Sequence, residues 1–144
     1  MDLPFKRLHA EAELPAAQHT GDAGLDLRAV SEVKVGPGER AMVPTGVAVA
    51  IPEGHAGLVL PRSGLASKRG LTLSNSPGLI DAGYRGEVIC AVVNLDPMQP
   101  VVIAPGDRIA QLVIVALPAV EPAWVGELPE STRGEGGFGS TGAS

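Results

Sequence analysis

Short apolar runs recur along the chain at 25–30, 41–51, 56–60, 71–74, 87–95, 101–103 and 108–117. They are rich in Val, Ile, Leu and Ala, and their lengths of three to eleven residues match strands better than helices. Between them stand GPGE (36–39), PEGHAG (52–57), NSPG (75–78), DAGYRG (81–86), DPMQP (96–100) and APGD (104–107), each built from residues that favour tight turns. Only residues 64–69 have the make-up of a helix, and a short one. Seven strands with no helices alternating between them predict an all-β fold, a jelly-roll-like antiparallel β-domain. Beyond Leu117 the pattern stops: the segment PAVEPAWVGELPESTRGEGGFGSTGAS has no sustained apolar period. The sequence therefore predicts a β-domain over 1–117 and a flexible, Gly-rich C-terminal arm over 118–144.

Composition narrows this picture without changing it. The 144 residues suit one core, and 19 Gly with 13 Pro agree with many turns. No apolar run approaches the roughly 18 residues that span a bilayer, and the N-terminal MDLPFKRLHAEAELP lacks the apolar stretch of a signal peptide. The expectation is a cytoplasmic protein with no membrane partner. Cys90 is the single cysteine, so no internal disulfide forms, and its apolar surroundings predict a buried thiol. A net charge of −5 with no basic block argues against a nucleic-acid partner. His9, His19 and His55 are scattered and share no metal-ligand spacing.

Five clusters concentrate chemistry: AGLDL (23–27), PRSGLA (61–66), GLIDAGYRG (78–86), GDRIAQL (106–112) and, in the arm, RGEGGFGSTG (133–142). Taken singly, each also reads as ordinary structure: Asp26 as a solvated strand residue, Arg62 and Ser63 as a helix start, Asp81 as a turn former, Gln111 as an exposed strand position. Gly134, Gly136 and Gly139 satisfy GxGxxG, but that fingerprint needs a helix after it and only five residues remain. What survives is a strip of backbone N–H groups with hydroxyls at Ser140 and Thr141 and a cation at Arg133, a set suited to phosphate oxygens. Of the four aromatic residues, Tyr84 and Phe138 sit in Gly-rich segments with few neighbours to bury them, where a flat ligand such as a nucleobase with its sugar would give them a partner.

All five clusters, in this order, resemble the five motifs of the homotrimeric dUTPases, and the resemblance runs from about Ala23 to Gly142. It implies hydrolysis of dUTP to dUMP and pyrophosphate, which limits uracil incorporation into DNA and supplies dUMP for thymidylate synthesis. It also implies a homotrimer whose arm crosses to a neighbouring subunit. By position, Asp81 matches the carboxylate that activates water for attack on the α-phosphorus and holds the 3′-OH, and Gln111 the amide that places this water. Asn75 matches the amide that reads the uracil edge, with Leu79 and Ile80 in the same hairpin. Tyr84 matches the ring that packs on the deoxyribose and excludes a 2′-OH. Arg62, Ser63 and Gly64 match the phosphate-binding turn, with Arg133, Ser140 and Thr141 closing over the phosphates, Phe138 over the uracil, and Gly139 among the substrate-binding residues of the arm. Mg2+ would be held mainly by the triphosphate, with Asp26 reaching it through water.

Ile89 departs from the pattern, since some bacterial relatives carry a lysine there, and one substrate contact changes character with it. Two rivals remain at this stage. A dCTP deaminase shares the fold but needs a catalytic glutamate near Arg85, a role arginine cannot fill. A nucleotide-binding trimer without activity is the other, because a fold alone never guarantees chemistry.

Overall fold

A computed structural model describes residues Met1–Gly139; Ser140 and Thr141, singled out above, lie outside the described residues. Among the described residues, ten strands and one helix follow in order: β1 Phe5–Arg7, β2 Leu25–Arg28, β3 Val33–Val35, β4 Arg40–Val49, β5 His55–Leu60, α1 Ser63–Arg69, β6 Leu71–Leu73, β7 Gly78–Ile80, β8 Glu87–Asn94, β9 Val101–Ile103 and β10 Arg108–Ala116. They form two four-stranded sheets, β1-β4-β8-β6 and β2-β10-β5-β7, and a two-stranded ribbon β3-β9. Every pairing is antiparallel. The all-β, jelly-roll-like class expected from the sequence is the one observed. β1, β3 and β7 are additional to the seven predicted runs: β1 and β3 each carry a lysine within three residues, and β7 falls between two turn clusters, so none stands out as an apolar run.

Burial follows the pleat even where the sequence reads as continuously apolar. In β8, Val88, Cys90, Val92 and Asn94 turn inward while Glu87, Ile89, Ala91 and Val93 alternate outward. The inner faces of both sheets share one core, with Leu27, Val43, Val92, Ile103 and Leu112 fully buried within it. Asn94 is buried there too, and its side chain is completely used: Nδ2 donates to Val35 O (3.1 Å) and Gln99 O (2.8 Å), and Oδ1 accepts the Asp96 N–H (2.9 Å). That network joins the β3-β9 ribbon and the turn after β8 to the larger sheet. In the same turn Asp96 accepts the N–H groups of Gln99 and Met98, which hold its carboxyl below the usual range.

A bulge between Pro44 and Ala48 interrupts the β4–β8 ladder. Gly46 occupies it with φ 72°, and an added Cβ would sit 2.9 Å from the side chains of His9, Ala12 and Val30, so both conformation and space call for glycine. The Gly46 N–H donates to Glu87 Oε2 (2.9 Å), and the buried Thr45 hydroxyl donates to Val88 O. The bulge thus pins the first residues of β8, where the third motif ends.

After β10 the Leu117 N–H donates to Gly54 O (2.8 Å), and from there the chain leaves the sheets. Among the described residues, no hydrogen bond ties residues 118–130 to the body, and Val120, Trp124, Val125 and Leu128 are exposed. Among the described residues no helix is long and apolar enough to cross a membrane.

Candidate active site

The expected site residues of the β-domain fall into two separate pockets. The first is a groove of about 310 Å3 between the β7 edge and the outer face of β8, lined by Asn75, Leu79, Ile80, Asp81, Tyr84 and Ile89. Met42, Glu87 and Ala91 line it as well, a contribution from β4 and β8 that the motifs did not reveal. β7 pairs with β5 through Gly57↔Ile80 and Val59↔Gly78, so Asp81 follows the last paired residue and leaves the sheet at its corner. The turn that follows is laced from one side: Tyr84 N–H donates to Asp81 O (3.1 Å), and Arg85 Nη1 donates to Ala82 O (2.6 Å) and Tyr84 O (3.0 Å). Arg85 is therefore folded back on the backbone and lines no part of this groove. Asp81 itself is exposed, and among the described residues its carboxylate has no hydrogen-bond or ion-pair partner. Asp81 lines the groove with its carboxylate free to accept.

The second pocket, of about 320 Å3, is polar and lined by Asp26, Arg62, Ser63, Gly64 and Gln111, with Gln18, Asp22, Ala23 and Gly24. Here β2 and β10 lie side by side with Asp26 opposite Gln111. Arg62 Nε stands 3.4 Å from Asp26 Oδ1, and Arg108 Nη1 is 3.6 Å from Oδ2, so this one carboxylate faces two cations. The sequence reading missed Arg108. Strict alternation would place residues 108 and 111 on opposite faces, but the ladder shifts register between Arg108 and Ala110, and Ile109 and Ala110 are both buried. The bulge brings Arg108 and Gln111 to the same face. The IA doublet between them in GDRIAQL was the available signal.

Gln111 is aimed by its surroundings. Its Nε2 donates to Pro61 O (3.1 Å), and a Cβ on Gly24 would fall 3.0 Å from both its Cβ and its Cδ. Ser63 and Gly64 open α1 with exposed polar groups, and α1 closes at Gly70, whose φ of 70° lets its N–H return to Leu65 O.

Asp81 and Gln111 do not meet within one chain. Ile80 is aligned through Gly57 with Ile114, so Asp81 lies two strands and four residues away from Gln111, roughly 16 Å at ordinary strand spacing and rise. The two side chains together cannot span that gap. Arg133 and Phe138 stand apart from both pockets. Arg133 Nε donates to Gly136 O within its own turn, and Phe138 is fully exposed. Among the described residues no cluster of three or more His, Cys, Asp or Glu is found.

The matches to known proteins follow the same outline. The dUTPase family model matches residues 10–142. A deoxyuridine 5'-triphosphate nucleotidohydrolase from Mycobacterium sp. (strain JLS) is 57% identical over 145 residues, covering 97% of this chain and 94% of that protein. One from Streptomyces avermitilis is 53% identical over 142 residues, covering 99% and 81%. Among solved structures, a Staphylococcus bacteriophage 80alpha dUTPase mutant with dUpNHpp superposes with a TM-score of 0.93 at 35% identity, covering 99% of each chain. A mutant dUTPase from phage phi11 of S. aureus, described with a structural Mg(II) ion, gives 0.82 at 32% identity, covering 88% of this chain and 98% of that one. With motifs, fold and relatives in agreement along nearly its whole length, the chain belongs to the dUTPase family.

Proposed function

We propose that the protein hydrolyses dUTP to dUMP and pyrophosphate, and that Asp81 is the base. The observation that carries this reading is the first groove: an unpartnered carboxylate at the corner of an apolar slot, three residues from a half-exposed tyrosine and across from an amide at Asn75. A uracil fits between Leu79, Ile80 and Ile89 with its polar edge on Asn75, and the deoxyribose then lies against Tyr84. Asp81 accepts the proton of a water as its oxygen bonds to the α-phosphorus, and the bridging bond to the β-phosphate breaks with its electron pair leaving on pyrophosphate. Arg62, Ser63 and Gly64 bind the phosphates, and Arg133, Ser140 and Thr141 cover them, which stabilises the charge moving onto the leaving group. Phe138 and Gly139 close over the base.

The homotrimer is part of the same proposal. The gap between Asp81 and Gln111 supports it, because one active site needs both pockets and a neighbouring subunit can supply the second. The arm supports it independently: residues 118–130 carry four large apolar side chains into solvent and bond to nothing in their own chain among the described residues. An extended segment of that kind gains by lying on a second copy. Mg2+ fits the donor set in one way only. Asp26 already faces two guanidinium groups, so it suits a hydrated ion held chiefly by substrate phosphates. Bound there, Mg2+ would neutralise phosphate charge and orient the chain of phosphates.

Pyrophosphate and ammonia release from dUTP, UTP, dTTP and dCTP in the presence of Mg2+ tests the reading. Pyrophosphate from dUTP in strong preference to the others, with no ammonia, is expected. Ammonia from dCTP, or turnover without preference among the four, contradicts it.

A further inference from the structure

Gly86 ends the turn that carries Asp81 and Tyr84, and its φ lies outside the left-handed region, so the backbone there would accept any residue. Space decides instead. A Cβ built on Gly86 would stand 2.7 Å from Tyr84 Cζ and 3.0 Å from Cε1, and closer still to the hydroxyl oxygen. The hydroxyl end of the Tyr84 ring therefore occupies the space that a side chain at 86 would need. Its hydroxyl donates to Glu87 O (2.8 Å). Glu87 cannot follow a moving ring, because its carboxylate accepts the Gly46 N–H in the β4 bulge and its strand is paired to β4 at Ala48.

We propose that Gly86 is a positioning residue for substrate selection: by leaving room for the Tyr84 ring, it seats that ring as a fixed wall of the sugar site. The inference rests on the reading of Tyr84 as the ring that faces the deoxyribose. A wall discriminates against a 2′-OH only if it cannot yield, and a ring whose hydroxyl end fits the space left at Gly86 and is tethered there to Glu87 O is held in one place. A methyl group at 86 lifts the ring off its seat and breaks the tether to Glu87. Asp81 precedes the contact by five residues and keeps its own turn hydrogen bond, so the chemistry itself survives.

The test compares kcat/KM for dUTP and UTP in wild type, Gly86→Ala, Tyr84→Ala and the double variant, with melting temperature and oligomer mass alongside. Gly86→Ala lowers the dUTP/UTP ratio on the order of tenfold. The double variant matches Tyr84→Ala alone, because the glycine acts only through the ring. Additive losses in the double variant, or a wild-type ratio in Gly86→Ala when Tyr84→Ala has lowered it, overturn the inference. An unchanged ratio in Tyr84→Ala instead removes the reading beneath it. If Gly86→Ala does not fold, Tyr84→Phe keeps the ring and cuts the tether; a partial fall in the ratio is expected, and a wild-type ratio overturns the proposal.

Discussion

Asp81 owes its proposed role to what its neighbours leave undone. Asp26, the other carboxylate among the candidate residues, faces Arg62 and Arg108, whereas Asp81 stands exposed with its oxygens free to take a proton. Asp81→Asn keeps the shape and removes the proton acceptor, so we expect kcat to fall by about 10²-fold or more with the affinity for a dUTP analogue retained. Turnover within tenfold of wild type contradicts the assignment. Cys90 shows the opposite treatment of an acid. Burial pushes its thiol from 9.0 up to about 12, so the folded protein holds it neutral. The resulting stability is fully present below pH 9 and is lost as pH rises from there through about 12. Native protein at pH 8 should therefore react with a thiol reagent only as fast as it opens, and reaction at the rate of a free thiol would show that Cys90 is accessible.

At the scale of elements, hydrogen bonds and bulges place the site more than strand propensity does. Asn94 satisfies three groups at the β3-β9 junction, and Asn94→Ala leaves the Val35 and Gln99 carbonyls and the Asp96 N–H without it. We expect a loss of about 3 kcal/mol, read as a lower melting temperature; no measurable shift means that water replaces the side chain. The arm is expected to behave differently. Truncation after Glu130 removes Arg133 and Phe138 but none of the buried core, so it should leave the melting temperature nearly unchanged while activity falls by about 10²-fold or more. Unfolding on truncation contradicts that division. Much of this was legible in the sequence: turn clusters marked the strand ends, and the motif order marked the pocket residues. The short strands β1, β3 and β7 carried too little pattern, and the bulge that turns Arg108 toward Asp26 shows locally only as the IA doublet, its register being set by pairing with β2.

The whole molecule poses the question that sequence order could not, namely which residues share a site. The motifs read as one constellation, yet the fold parts Asp81, Asn75 and Tyr84 from Asp26, Arg62 and Gln111 across the width of a sheet. Strand order sets this separation, and strand order is a tertiary fact. The proposed cyclic homotrimer would resolve it by joining the groove of one subunit to the polar pocket of the next. Complementation measures this directly: Asp81→Asn and Arg62→Ala proteins, each expected to be inactive alone and assayed separately first, are unfolded together, refolded at equal concentration and assayed for pyrophosphate release from dUTP. Random assembly into shared sites leaves about one site in four with both residues intact, so about a quarter of wild-type activity should return. Activity that stays at the level of the separate variants, in mixed oligomers confirmed by mass, would show that each site is built within one chain and would contradict the account.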